Sequence, residues 1–195
     1  MPRINRDDID KLYDYDLFMP TRTIYIGSNT VNEDGESGVD ADLSSRVIKA
    51  LHILDQKEEP IIVVLNNPGG DFYHGMAIYD AIKACKSHIT IKVYGMAMSM
   101  AAIILQAADK RVMMPNARLM VHYGEAGFMG HSKTFAKWAE ENKKTNSKIE
   151  QILLEKIKVK KPNFTLKELQ KLLNHDTIYS SIETVEIGLA DEVYG

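Results

Sequence analysis

The sequence predicts an α/β fold, and three observations carry that prediction. A continuous apolar run, Ile61-Ile-Val-Val-Leu65, ends in Asn66-Asn-Pro-Gly-Gly70 and is followed by a helical pattern on Met76, Ile78, Tyr79 and Ile82, which reads as strand, tight turn and helix. The same grammar returns with Ile89 to Tyr94 as strand, Gly95 as the break and Ser99 to Ala108 as a helix of small residues. Ahead of both, Leu43, Val47, Ile48, Leu51 and Leu54 recur at three- and four-residue steps behind Asp40 and Asp42, either of which can cap an amphipathic helix. Strands alternating with helices argue a parallel sheet of βαβ units.

The remaining elements follow in order. Residues 1–20 are charged and tyrosine-containing, with aspartates interrupting any sustained apolar face, and are expected to form a partly helical N-terminal arm. Residues 21–195 are expected to form one domain. Thr23 to Gly27 is β-branched and closed by glycine, as a short strand should be, and Asn29 to Gly38 reads as a surface loop. A third strand is expected over Leu119 to His122, after Pro115-Asn116 has turned the chain. From His131 to about Val159 runs a long helical pattern with Phe135, Trp138, Ile149, Ile152, Leu153 and Ile157 on its apolar side, stopped by Pro162. A helix of that length is expected to project and to serve assembly. Thr165 and Glu168 form a capping-box pattern before a leucine-rich helix, and the chain closes with Ser181 to Gly188 and Leu189 to Val193.

Composition excludes several function classes. With 24 Lys and Arg against 27 Asp and Glu, a formal charge of −3 gives no electrostatic reason for a nucleic-acid or anionic-membrane partner. The longest apolar runs fall far short of the roughly 20 residues that span a bilayer. A single cysteine, Cys85, allows no intrachain disulfide, and the first residues contain no apolar signal-peptide core, so a cytoplasmic setting is expected.

Amide hydrolysis needs a nucleophile, a base to take its proton, and backbone donors for the oxyanion. Ser99 lies where a strand turns into a helix, so its hydroxyl and the Met100 N–H can face a substrate carbonyl. Taken singly it fits a helix cap better. Gly70 ends a turn whose two glycines let backbone N–H groups approach an oxygen, although an ordinary proline-glycine turn explains it equally. His122 ends a strand where a base is plausible, against the alternative of a core histidine, and Asp176 could equally be a turn residue. The Gly-x-Ser-x-Gly elbow of α/β-hydrolases is absent.

The quartet Asn67-Pro-Gly-Gly70 followed by Gly75-Met-Ala-Ile-Tyr-Asp80, then Gly95-Met-Ala-Met-Ser-Met-Ala-Ala102, Met114-Pro-Asn-Ala-Arg-Leu-Met-Val-His122 and Ile187-Gly-Leu-Ala-Asp-Glu-Val193 closely resembles the proteolytic subunit of Clp protease. The collinear match runs from about Arg22 to Val193. The resemblance implies a Clp/crotonase-like fold of repeated ββα/βαβ units with a projecting handle helix at about residues 131–159. It implies a serine endopeptidase with Ser99 as nucleophile, His122 as general base, Asp176 orienting the histidine, and the backbone of Gly70 and Met100 as oxyanion donors. It further implies a homo-oligomer of two stacked heptameric rings, with Trp138 and Ile149 at the interface between them. A separate ring unfoldase ATPase would feed unfolded chains to the chamber. No metal or cofactor is expected in the chain itself, ATP entering only through that partner.

Departures from the family pattern are also visible. Tyr123 to Gly130 lacks the usual Gln-Pro pair, Asn29 to Gly38 looks long, and Lys158 to Asn163 looks inserted. The family's ATPase-docking pockets include aromatic residues on the strand before the Pro-Gly-Gly turn, where this chain has Ile62 and Val64, with Lys92 on the next strand. His175 replaces an arginine that helps link the rings, which predicts a contact that weakens as the imidazole gives up its proton. Two competing readings are a crotonase-like acyl-CoA enzyme, which also uses backbone donors after a strand, and a noncatalytic ring subunit.

Overall fold

The computed structural model describes residues 4–27, 31–32, 35–36, 38–125, 127 and 130–195. The start of the expected arm, much of the Asn29 to Gly38 loop, and Ala126, Phe128 and Met129 lie outside the described residues. The chain runs α1 (Arg6–Tyr15), β1 (Leu17–Phe18), a 3-10 turn (Met19–Thr21), β2 (Thr23–Ile26), β3 (Val31–Asn32), β4 (Gly35–Glu36), α2 (Ala41–Leu54), β5 (Ile61–Asn67) and α3 (Phe72–Ala84). It continues through β6 (Ile89–Met98), α4 (Met100–Leu105), β7 (Lys110–Met113), β8 (Arg118–Val121), α5 (Ser132–Lys160), α6 (Leu166–Leu173), β9 (Thr177–Ser180), α7 (Ser181–Ile187) and β10 (Glu192–Val193).

The main sheet has the order β1-β2-β5-β6-β7-β10, and β8 also joins β6 and carries β9 on its other side. The β2-β5-β6-β7-β10 pairs are parallel, as expected, but β1 meets β2 and β9 meets β8 antiparallel, so the sheet is mixed. A separate two-stranded pair, β3 and β4, falls inside the segment read as loop. The run Ile61 to Leu65 also alternates: Ile61, Val63 and Leu65 are buried, whereas Ile62 and Val64 on the other face are half-buried. The buried face packs with α2, α3 and α4 around Ile24, Ile26, Leu51, Leu54, Ile78, Ile91 and Ile104.

Gly95 is a bend rather than a break. Strand β6 follows β7 as far as Val93 and β8 from Met96 onward, so it changes partners around this glycine. Its φ of +65° suits a residue without a side chain, and an added Cβ would lie 2.6 Å from Asn66 Oδ1. That oxygen accepts a hydrogen bond from the Met96 N–H at 3.2 Å. The following helix is correspondingly shorter than the Ser99 to Ala108 expectation.

Other local expectations are met by physical devices. Asp40, not Asp42, caps α2 by accepting from Leu43 N, and Thr165 and Glu168 form the capping box of α6. The arm contains a full helix, α1, because Asn5 and Asp8 form a capping box of their own. Helix α5 has 29 residues and stops just before Pro162. Its second half is anchored by buried Ile152, Leu153 and Ile157, whereas Phe135 and Trp138 in its first half are 58% and 52% exposed.

Candidate active site

Three neighbouring strand ends deliver three side chains to one point. Parallel pairing sets Met98 of β6 opposite Met120 of β8, and the next N–H, that of Ser99, donates to Met120 O at 2.9 Å. Antiparallel pairing sets Val121 opposite Thr177, so the residues just beyond, His122 and Asp176, face one another across the sheet edge. His122 Nε2 lies 2.8 Å from Ser99 Oγ. On the other side of the ring, Nδ1 lies 3.0 Å from Asp176 Oδ1, with the histidine side chain 22% and the aspartate 69% exposed.

Ser99 does not cap its helix. Although it occupies the N-cap position of α4, its side chain makes no capping hydrogen bond, and its backbone sits at φ +51°, ψ −120°. A non-glycine residue adopts such angles at a cost of about 1–3 kcal/mol. Here the turn directs Oγ toward His122 instead of back along the helix. Met100 is the first residue of α4, so its N–H lacks an intrahelical acceptor.

The Pro-Gly-Gly turn is fitted against this serine. Gly69 has φ +101°, and a Cβ there would fall 2.6 Å from Met98 O, 2.8 Å from Ser99 Cβ and 3.0 Å from Met100 N. Asn67, fully buried at the end of β5, accepts the Gly69 N–H through Oδ1 at 2.8 Å and fixes the turn. A single bridge joins Gly70 to Val39: the Val39 N–H donates to Gly69 O and the Asp71 N–H donates to Val39 O. That pattern uses the groups flanking Gly70 and leaves Gly70's own N–H out of the bridge. The sequence singled out Gly70 and Met100 and the Asn67-Pro-Gly-Gly70 turn as a whole; it did not single out the separate parts that Asn67 and Gly69 play in it.

Ser99, His122, Gly70 and Met100 open into a groove of about 740 Å³. Its floor is apolar, with Ile103, Val121 and Leu153, and α5 forms a wall through Phe135, Trp138 and Ile149. Phe72 and Tyr73, at the start of α3, line it on the side of the Pro-Gly-Gly turn. Among the described residues no group of three or more His, Cys, Asp or Glu is placed to hold a metal ion. No helix among them is long and apolar enough to cross a membrane. Cys85 does not reach the groove, and burial pushes its thiol up to about 11, so it is held as an unreactive thiol.

Comparison with known proteins shows the family of the chain. The family profile described as Clp protease matches residues 12–195. The chain is 30% identical over 189 residues to the ATP-dependent Clp protease proteolytic subunit of Deinococcus radiodurans, a match covering 94% of this chain and 86% of that protein. With the α/β architecture and the match over nearly its whole length, the chain belongs to the Clp protease family and is a serine endopeptidase.

Proposed function

We propose that the peptidase reaction runs through Ser99, His122 and Asp176. The observation that carries this reading is the continuous chain from Ser99 Oγ to His122 Nε2 at 2.8 Å and from His122 Nδ1 to Asp176 Oδ1 at 3.0 Å, at the mouth of a groove. Ser99 Oγ attacks the scissile carbonyl carbon while His122 Nε2 takes the hydroxyl proton, and Asp176 holds the ring with Nδ1 protonated. Charge collects on the carbonyl oxygen, where the Gly70 and Met100 N–H groups receive it. Collapse expels the amine, which leaves with the proton from His122, and an acyl-enzyme remains on Ser99. Water, activated by the same histidine, releases the acid and restores the hydroxyl.

The wider reading is a chamber built from copies of this chain, two stacked heptameric rings with α5 between them, acting on unfolded chains and peptides. The exposed face of α5 at Phe135 and Trp138 supports a role in assembly, and His175 is exposed beside Asp176 where a second copy could reach it. A partner ATPase would supply ATP-driven unfolding, as the relative's name suggests for that protein. Its docking surface would differ from the family pattern, since Lys92 sits beside Val64 in register and 5.6 Å from the centre of the Tyr194 ring.

A fluorophosphonate probe tests the chemistry directly. Assembled wild-type protein is expected to label on one serine and to cleave a fluorogenic peptide. Ser99→Ala is expected to abolish labelling and to lower kcat by at least about 10⁴-fold. Labelling that survives this substitution refutes the assignment and favours the acyl-CoA or noncatalytic alternatives.

A further inference from the structure

Asp176 is the least enclosed member of the three. It stands at the outer end of the edge strand β9, 69% exposed, and among the described residues no other side chain holds its carboxylate. Its alignment with His122 must therefore come from the elements that carry the two residues, and one hydrogen-bond cluster connects them all. Tyr123, the residue after His122, donates its backbone N–H to Leu173 O at 2.7 Å, at the last residue of α6. Its hydroxyl donates to Glu150 Oε1 on α5. The same carboxylate oxygen accepts Gln170 Nε2 of α6 at 3.0 Å. From the end of α6 the chain passes directly to Asp176, where Thr177 Oγ1 donates to Leu172 O at 2.7 Å and pins the connection.

These contacts close a ring: His122 to Tyr123, Tyr123 to α5, α5 to α6, α6 to Asp176. Its ring packs half-buried against the core, and burial together with the Glu150 carboxylate pushes its phenol far above the ordinary range, so it remains a proton donor. On α5, Glu150 directly follows Ile149, which lines the groove. A displacement of this helix, whether from a bound peptide or from a neighbouring copy, would carry Glu150 with it.

We propose that Tyr123, Glu150 and Gln170 are positioning residues that tie the His122–Asp176 alignment to the position of α5. The proposal rests on the triad reading above. It goes beyond it by assigning turnover control to three residues that do not touch the reacting atoms. Two donors on one carboxylate oxygen fix a direction, which a single contact would leave free to swing.

The assembled protein tests this through steady-state cleavage of a fluorogenic peptide. Tyr123→Phe, which keeps the ring and removes only the donor, is expected to lower kcat about tenfold with KM within about twofold. Glu150→Ala should do the same, while Glu150→Gln, which keeps an acceptor oxygen, should restore kcat to within about threefold of wild type. Combining Tyr123→Phe with Glu150→Ala should cost no more than either alone, because both break one ring. Should Glu150→Ala lose its native mass, Gln170→Met carries the same expectation. Wild-type kcat in Tyr123→Phe, or a Glu150→Gln variant no better than Glu150→Ala, overturns the proposal while Ser99 still labels. Labelling that persists in Ser99→Ala overturns the triad reading instead.

Discussion

Ser99 holds a backbone conformation that serine rarely adopts, and the residues packed around it show what keeps it there. Gly69 is the closest of these, with no room for even one methyl group between it and Met98 O. Gly69→Ala therefore has to displace either the Pro-Gly-Gly turn or the Ser99–Met100 turn, the two pieces of backbone that carry the proposed oxyanion donors. A loss of at least about 100-fold in kcat is expected, since misplacement of a reacting group by about 1 Å has that effect. Global stability should fall by only about 1–3 kcal/mol, checked by urea unfolding beside the kinetic assay. At this scale the sequence was legible where a motif carried it: the motifs singled out Ser99, His122 and Asp176, and the structure brings these three side chains within hydrogen-bond reach of one another. By itself Ser99 read as a cap, because nothing local reveals that its hydroxyl is drawn to a histidine on another strand. The Tyr123–Glu150 contact joins residues 27 positions apart, and no spacing rule anticipates a partner at that distance.

Elements were legible in proportion to their length and regularity. The periodic apolar residues of α2, the Pro162 stop after α5 and the Thr165 capping box located their helices well. Strand β7 was missed because Lys110-Arg-Val-Met113 begins with two charged residues. Arg111 is nevertheless only 8% exposed, since its guanidinium is met by Asp191, Gln106 Oε1 and Gly188 O. A buried arginine is affordable only with such partners, and two of them, Gly188 and Asp191, come from 77 and 80 residues further along the chain. Strand β6 was cut short for a related reason: Gly95 looks like an end when its partner strands are unknown. Helix α5 raises the clearest expectation. Its first half presents Trp138, the single tryptophan, at 52% exposure. If this face is covered by another copy, tryptophan emission should shift to the blue over the same concentration range in which the sedimentation coefficient rises. A shift without a change in mass, or a change in mass without a shift, removes α5 from the interface.

Across the whole molecule, carboxylates hold distant segments together and set the response to acid. Burial works to raise the Asp191 carboxyl, but hydrogen bonds from the Arg111 side chain and backbone, with its positive charge, bring it below the usual range. Asp55 is lowered by the Ser87 and Lys86 backbone N–H groups, and Glu168 and Glu183 by the hydroxyl and backbone of their cap residues Thr165 and Ser180. Each group thus binds its proton less readily folded than unfolded. The stability it contributes is complete above the ordinary carboxylate range and is lost as pH falls through the folded values. Urea midpoints should accordingly hold from pH 7 to about pH 5 and decline below that, toward about pH 2. Asp191→Asn should start lower at pH 7 and decline less, because one of the contributing titrations has been removed. The parallel clip of β10 onto β7 that Arg111 and Asp191 reinforce also has the last strand of the chain complete the sheet. Under the proposed roles a similar order governs the chemistry. Nucleophile and base directly follow β6 and β8, but Asp176 reaches them only after α5 and α6 have been synthesised and folded back. Long-range closure of that kind comes late. A chain still emerging from the ribosome would therefore carry a serine and a histidine without the group that aligns them, and would gain its full cutting power only once its fold is finished.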